Sequence, residues 1–162
     1  MMLVKNLGQT RLMLLDSIKE LTDKQLNQKQ SSEKWSISQV LFHLYTTEKE
    51  IALLIFNSLN SGSKKIAERD LSILVENSVK NMTTNEPPEE YITKNELIGL
   101  LEESRFQYVQ AIFNEVHAHV LLEKSVEHPE FGWISSQDLL EFIWHHEKGY
   151  IKQIEEIKQG LN

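Results

Sequence analysis

Two histidines stand where helical periodicity asks for apolar side chains. His43 lies in Trp35-Ser-Ile-Ser-Gln-Val-Leu-Phe-His-Leu44, and His146 opens His146-Glu-Lys-Gly-Tyr150-Ile-Lys-Gln-Ile154. In the second segment and its flanks, Leu139, Ile143, His146, Tyr150, Ile154, Ile157 and Leu161 recur at spacings of three and four, which makes one helical stripe. His146 and Tyr150 therefore share the inward face one turn apart, while His145 points about 100° away. In the first segment Val40, His43, Thr47, Ile51 and Leu54 form a similar line, with His43 on the inward face or at its edge. A buried imidazole needs a partner, because an unsatisfied polar group is costly in an apolar interior. A metal is one partner and a hydrogen-bond network is the other. Imidazoles from two helices can hold an ion between them, and a catalytic zinc site adds a third protein ligand and an open position for water. Spacing by itself favours the hydrogen-bonded reading, since only two histidines are well placed.

Other candidates are weaker. Glu48 and Glu50 follow His43 by five and seven residues. Glu50 lies near the face of His43 and could orient its ring as a hydrogen-bond acceptor, although a solvated charge is the ordinary reading. His117 and His119 read as surface residues near the end of a helix. His128, before Pro129, reads as a loop-shaping residue near the mouth of any pocket. Trp35, Trp133 and Trp144 suit a cavity wall or a core equally. The sequence has no cysteine, which excludes thiolate zinc sites and cysteine nucleophiles. No Gly-rich phosphate loop or nucleophile-elbow serine is present.

The elements that must position these residues are helices. Six glycines and three prolines in 162 residues leave few interruptions. Periodicity predicts a first helix over about Leu3 to Gln28, with Leu7, Leu12, Leu14, Leu15, Ile18 and Leu21 on its stripe. A second follows the capping pair Ser36 and Gln39 and runs to about Asn60, where Ser61-Gly62-Ser63 ends it. A third follows Thr93 and Glu96 and runs to about Ala118; a fourth runs from Ser135 or Ser136 to a C-cap at Gly160. About thirty residues, Ser61 to Ile92, separate the second and third helices, with a short helix near Ala67 to Lys80 and an extended loop from Thr83 to Glu90. Such a crossover lets those two helices run parallel. Leu121 to Ile134 links the third and fourth helices. The expected fold is an all-α four-helix bundle in one domain, residues 1–162.

A net charge of −7 without a basic stripe argues against nucleic acid as a partner. The longest apolar run, Ile51 to Phe56, cannot span a bilayer, and Lys5, Asn6, Gln9, Thr10 and Arg11 interrupt any signal-like stretch. The expectation is a cytoplasmic protein that has no membrane partner.

Taken together, Trp35-Ser-Ile-x-x-Val-Leu-x-His43-Leu with Glu48, Pro87-Pro88 with Tyr91, His128-Pro129-x-x-Gly132, and His146-Glu with Gln153-Ile154 resemble the motifs of the DinB/YfiT-like family, in order and over nearly the whole chain. The resemblance implies an up-down-down-up bundle. It also implies zinc or nickel held by three histidines, one from the second helix and two from the fourth. Carried over, the ligands are His43 and His146, and Tyr150 stands where the third histidine belongs. The activity implied is metal-dependent hydrolysis, or transfer of a low-molecular-weight thiol to a small-molecule substrate, by a homodimer. Tyr150 would then be a weak third ligand or a proton donor. The rival expectation is a non-catalytic bundle with a degenerate metal site, acting as a ligand-binding or interaction module.

Overall fold

The computed structural model describes residues 2–60, 65–80 and 86–161. Four long helical stretches make up the bundle. Helix α1 (Met2–Ile18) is followed by a single-turn α2 (Asp23–Leu26), and α3 spans Ile37–Ser58. After α4 (Leu71–Lys80), α5 (Lys94–Glu102) passes into a π-helical segment (Glu103–Val109) and α6 (Gln110–Glu115). Then come α7 (Ala118–Glu123), strands β1 (Ser125–His128) and β2 (Gly132–Ser135), and α8 (Ser136–Gln159).

The N-caps fall where the sequence puts them. Ser36 accepts from the Gln39 amide while the Gln39 side chain accepts from Ser36 N; Thr93 and Ser135 accept from Glu96 N and Asp138 N. Each satisfies an amide that the first helical turn leaves orphaned. At the far end of α8, Gln30 Nε2 donates to Ile157 O at 3.1 Å. A Cβ at Gly160 would meet the end of the Gln30 side chain, which would have to swing away and give up this bond.

Side-chain contacts give the helix directions. Lys158 Nζ donates to Ser17 O, so the ends of α1 and α8 lie together. Lys94 Nζ, at the start of α5, donates to Lys19 O just beyond α1. Gln39 Nε2, at the start of α3, donates to Pro87 O shortly before α5. Helices α1 and α8 thus run one way, and α3 and α5 the other.

Among the described residues the interior has two apolar clusters. One gathers Leu7, Ile51, Val109 and Ile143; the other gathers Leu14, Leu44, Leu101, Tyr150 and Ile154. Between them lies one charged residue from each long helical stretch: Arg11, Glu48, Arg105 and Glu147.

The structure corrects the sequence reading in four places. The first helix does not reach Gln28; it stops at Ile18, and Thr22 caps a separate turn through a reciprocal bond with Gln25. Leu12 does not join the inward stripe but is 69% exposed, on a groove between α1 and the α5–α6 stretch that Phe106 also lines. The third helix ends at Glu115 and contains the π-helical segment. The link from Leu121 to Ile134 carries a β-hairpin, with Val126 opposite Ile134 and His128 opposite Gly132. Its turn needs the positive φ of 71° that Gly132 adopts. The expected ends at Ser61-Gly62-Ser63 and Thr83 to Asn85 lie outside the described residues. Among the described residues no helix is long and apolar enough to cross a membrane.

Candidate functional site: a histidine pair over a charged ring

The capped start of α3 sets His43 two turns into that helix, facing the middle of α8. There His43 Nε2 lies 3.3 Å from His146 Nε2. Tyr150 completes the cluster, with its ring centroid 5.1 Å from that of His43 and 4.7 Å from that of His146. Trp35 packs edge-on to His43 and stacks on Tyr150 at 6.5 Å, and Phe142 stacks on His146 at 5.0 Å.

Burial governs the ionisation of this cluster. Loss of hydration lowers His43 to about 4. It lowers His146 well below the ordinary range, and the neighbouring His43 adds to the effect. Both rings are neutral at physiological pH, so one can donate and the other accept across the 3.3 Å gap. Burial pushes the Tyr150 phenol up to about 12. The Ser78 hydroxyl offsets part of that from outside hydrogen-bonding geometry, and Tyr150 Oη is a buried polar atom left without a partner.

These shifts predict acid sensitivity. An unfolded histidine titrates near 6.5, and His43 in the fold near 4. Between those values the unfolded state binds the extra proton, so stability is full above pH 6.5 and falls as pH drops toward 4. Each such histidine contributes a slope of about 1.4 kcal/mol per pH unit. Urea unfolding at stepped pH should show this slope, and His43→Gln should reduce it. An unchanged slope in that variant would show that His43 is not held neutral by the fold.

The expected ligands can be tested against an ion. Two imidazole nitrogens on a tetrahedral ion, each bonded at ~2.0–2.1 Å, lie about 3.3–3.4 Å apart. The His43–His146 separation fits two corners of that figure. The third corner is a poor one: burial raises the Tyr150 phenol to about 12, so it gives up its proton to an ion far less readily than an imidazole offers its lone pair. Among the described residues no three His, Cys, Asp or Glu side chains gather to hold a metal. The residues present do not form a closed site for resident zinc or nickel.

Of the remaining candidates, Glu50 is exposed and lies on the rim of a chamber over His43, and the described residues contain no hydrogen bond between the two. His128 Nδ1 accepts from the amides of Glu130 and Phe131 and so shapes the hairpin turn, while its ring faces the same chamber. His145 stacks on Trp144 at 3.7 Å, away from the pair. His117 and His119 are exposed. Trp35 is core, Trp144 is half-buried and Trp133 is exposed.

The sequence reading missed a ring of charges below the pair. Arg11 reaches Glu48 Oε2 and Glu147 Oε1, each at 2.7 Å. Arg105 reaches Glu48 Oε1 at 2.6 Å and Glu147 Oε2 at 3.3 Å. Each guanidinium also caps a helix carbonyl, Arg11 that of Leu101 and Arg105 that of Leu7. Burial works to lower the Arg11 guanidinium, but Glu147 and Glu48 outweigh it and hold it above its ordinary value. Glu147 adjoins His146 in α8, so the ring fixes the helix turn that presents the inner histidine. Four interrupted stripes were the available signal: Leu7-Arg11-Leu14, Leu44-Glu48-Ile51, Leu101-Arg105-Val109 and Ile143-Glu147-Tyr150.

The profile of the DinB superfamily matches residues 6–154 of the chain. The chain belongs to the DinB superfamily. It is 29% identical over 157 residues to the uncharacterized protein YuaE of Bacillus subtilis (strain 168), covering 95% of this chain and 96% of that one. Two solved structures share its fold at a TM-score of 0.62. The four-helix bundle protein TT2238 is 17% identical, with 95% of this chain and 96% of that chain covered. YfiT from Bacillus subtilis is 20% identical, with 97% and 84% covered, and is described as "a probable metal-dependent hydrolase with an unusual four-helix bundle topology". For this DinB-superfamily chain, the likeness to those two structures establishes the bundle; its chemistry rests on its own residues.

Proposed function

We propose that this DinB-superfamily chain is a small-molecule-binding bundle whose metal centre is degenerate. Its ligand sits in the chamber over His43, of about 390 Å³. A cavity of that size suits a small metabolite. The His43 imidazole opens onto it, with His146 and Tyr150 packed behind His43. The lip of the chamber is held in place, since Gln39 binds Pro87 O and Lys29 bridges Glu86 and Glu89.

The observation that carries this reading is Tyr150, a fully buried, protonated phenol beside the two histidines. Protein purified without a histidine tag should hold far less than one zinc or nickel per chain by mass-spectrometric metal analysis. A full equivalent that His43→Ala removes would overturn the reading.

One observation favours a second reading, metal-dependent hydrolysis or thiol transfer: the His43–His146 separation matches two ligands of a tetrahedral ion. In that case an added ion would lower the pKa of a bound water or thiol. The same metal analysis separates the two readings.

A further inference from the structure

Among the described residues, the wall of the chamber is charged in one sense only. Glu50 from α3 and Glu130 from the hairpin turn both line it, and none of its described lining residues is Lys or Arg. Neither carboxylate makes an ion pair with a described residue. Two imidazoles, those of His43 and His128, also line the chamber. Three phenyl rings also line it, those of Phe42, Phe131 and Phe142. Behind them Tyr150 is fully buried against His43, and its Oη has no hydrogen-bond partner among the described residues.

We propose that the chamber over His43 binds an organic ammonium ion, with the cation between Glu50 and Glu130 and its apolar body on the phenyl rings. The inference deepens the small-molecule reading above and rests on it. Carboxylates at the rim attract a cation and repel anions, including carboxylate- and phosphate-bearing ligands. Phenyl faces add attraction for a cation that lies over them. An ammonium N–H needs acceptors, and the Glu50 and Glu130 carboxylates offer lone pairs on the wall. No bond is made or broken in this step; it is recognition only.

The test is calorimetric titration of the full chain with benzylamine, benzyl alcohol and benzoate at neutral pH. The His43 ring resonances are followed in parallel to place the ligand. Benzylamine should bind about tenfold tighter than benzyl alcohol, and benzoate more weakly than either. High salt should shrink the preference. The Glu50→Gln, Glu130→Gln double variant should bring benzylamine down to the affinity of benzyl alcohol and leave benzyl alcohol unchanged. Both positions are exposed, so the fold should tolerate the change, and retained benzyl alcohol binding confirms that it does. Equal binding of amine and alcohol, or an amine preference that survives in the double variant, overturns the ammonium inference and leaves the small-molecule reading standing. If none of the three compounds shifts the His43 resonances, both fall.

Discussion

Removing one carboxylate from the buried ring, as in Glu48→Ala, should lower stability by ~3–5 kcal/mol, because two guanidinium groups lose a shared counter-charge inside the bundle. Glu48 is 3% exposed at its side chain, and its partners Arg11 and Arg105 are 11% and 10% exposed. Solvent cannot replace the lost charge without opening the helices. For a chain of this size the loss corresponds to roughly 6–20 °C in Tm, read by circular dichroism. A double change, Glu48→Met with Arg105→Leu, should cost less than Glu48→Ala alone. It leaves Arg11 and Glu147 as a balanced pair at 2.7 Å and returns two stripe positions to apolar residues. Removing the exposed partner of a surface pair, as in Glu155→Ala opposite Lys158, should have little effect. A Glu48→Ala protein that melts with the wild type would show that the ring does not hold the four helices together. Sterically conservative Glu48→Gln sharpens the comparison, since it keeps the shape and removes only the charge.

The same ring shows where sequence reasoning stopped. Helix starts were legible because a cap is local: Ser36 and Gln39, or Thr93 and Glu96, are three residues apart and leave their signature in a short window. The α8 stripe was legible for the same reason, and it placed His146 and Tyr150 on one face. Ring partners are 37 to 136 residues apart in sequence, so no window contains them. The hairpin was missed because its strands are four residues each and pair only with one another, below the length at which alternation can be told from a loop. The break after Ile18 was signalled by Thr22 and Gln25, but the apolar run through Leu21 and Leu26 masked it. The π-helical segment has neither a proline nor a paired glycine to announce it. In the candidate site, the histidine on each helix was readable from periodicity. Their 3.3 Å approach and the charged rim of the chamber depend on how α3, α8 and the hairpin turn meet.

Tyr150→His is the substitution that tests whether a metal site lies one residue away. The new imidazole would stand one helical turn from His146, on the same buried face of α8, with His43 opposite. Three imidazoles around an open position make a standard zinc donor set. Loss of a residue that merely orients a ligand weakens metal binding by 10–100-fold, so supplying a missing ligand should tighten zinc binding by at least about 100-fold. His43 and His146 are neutral at physiological pH, so no proton has to leave before they bind. Competition with a chromophoric chelator reads the affinity of the native chain and of the variant. In the Tyr150→His background, His43→Ala should abolish the gain. His145→Ala should leave it intact, because that ring stacks on Trp144 outside the cluster. The exchange also removes a fully buried phenol and its stacking on Trp35 at 6.5 Å, so the metal-free variant should melt below the native protein and recover when zinc is added. A variant that folds, as shown by its circular dichroism, yet binds zinc no better than the native chain would mean that His43 and His146 converge on each other and not on an ion. The degenerate centre would then be a hydrogen-bonded pair, and the metal-dependent reading would have no support left in this chain.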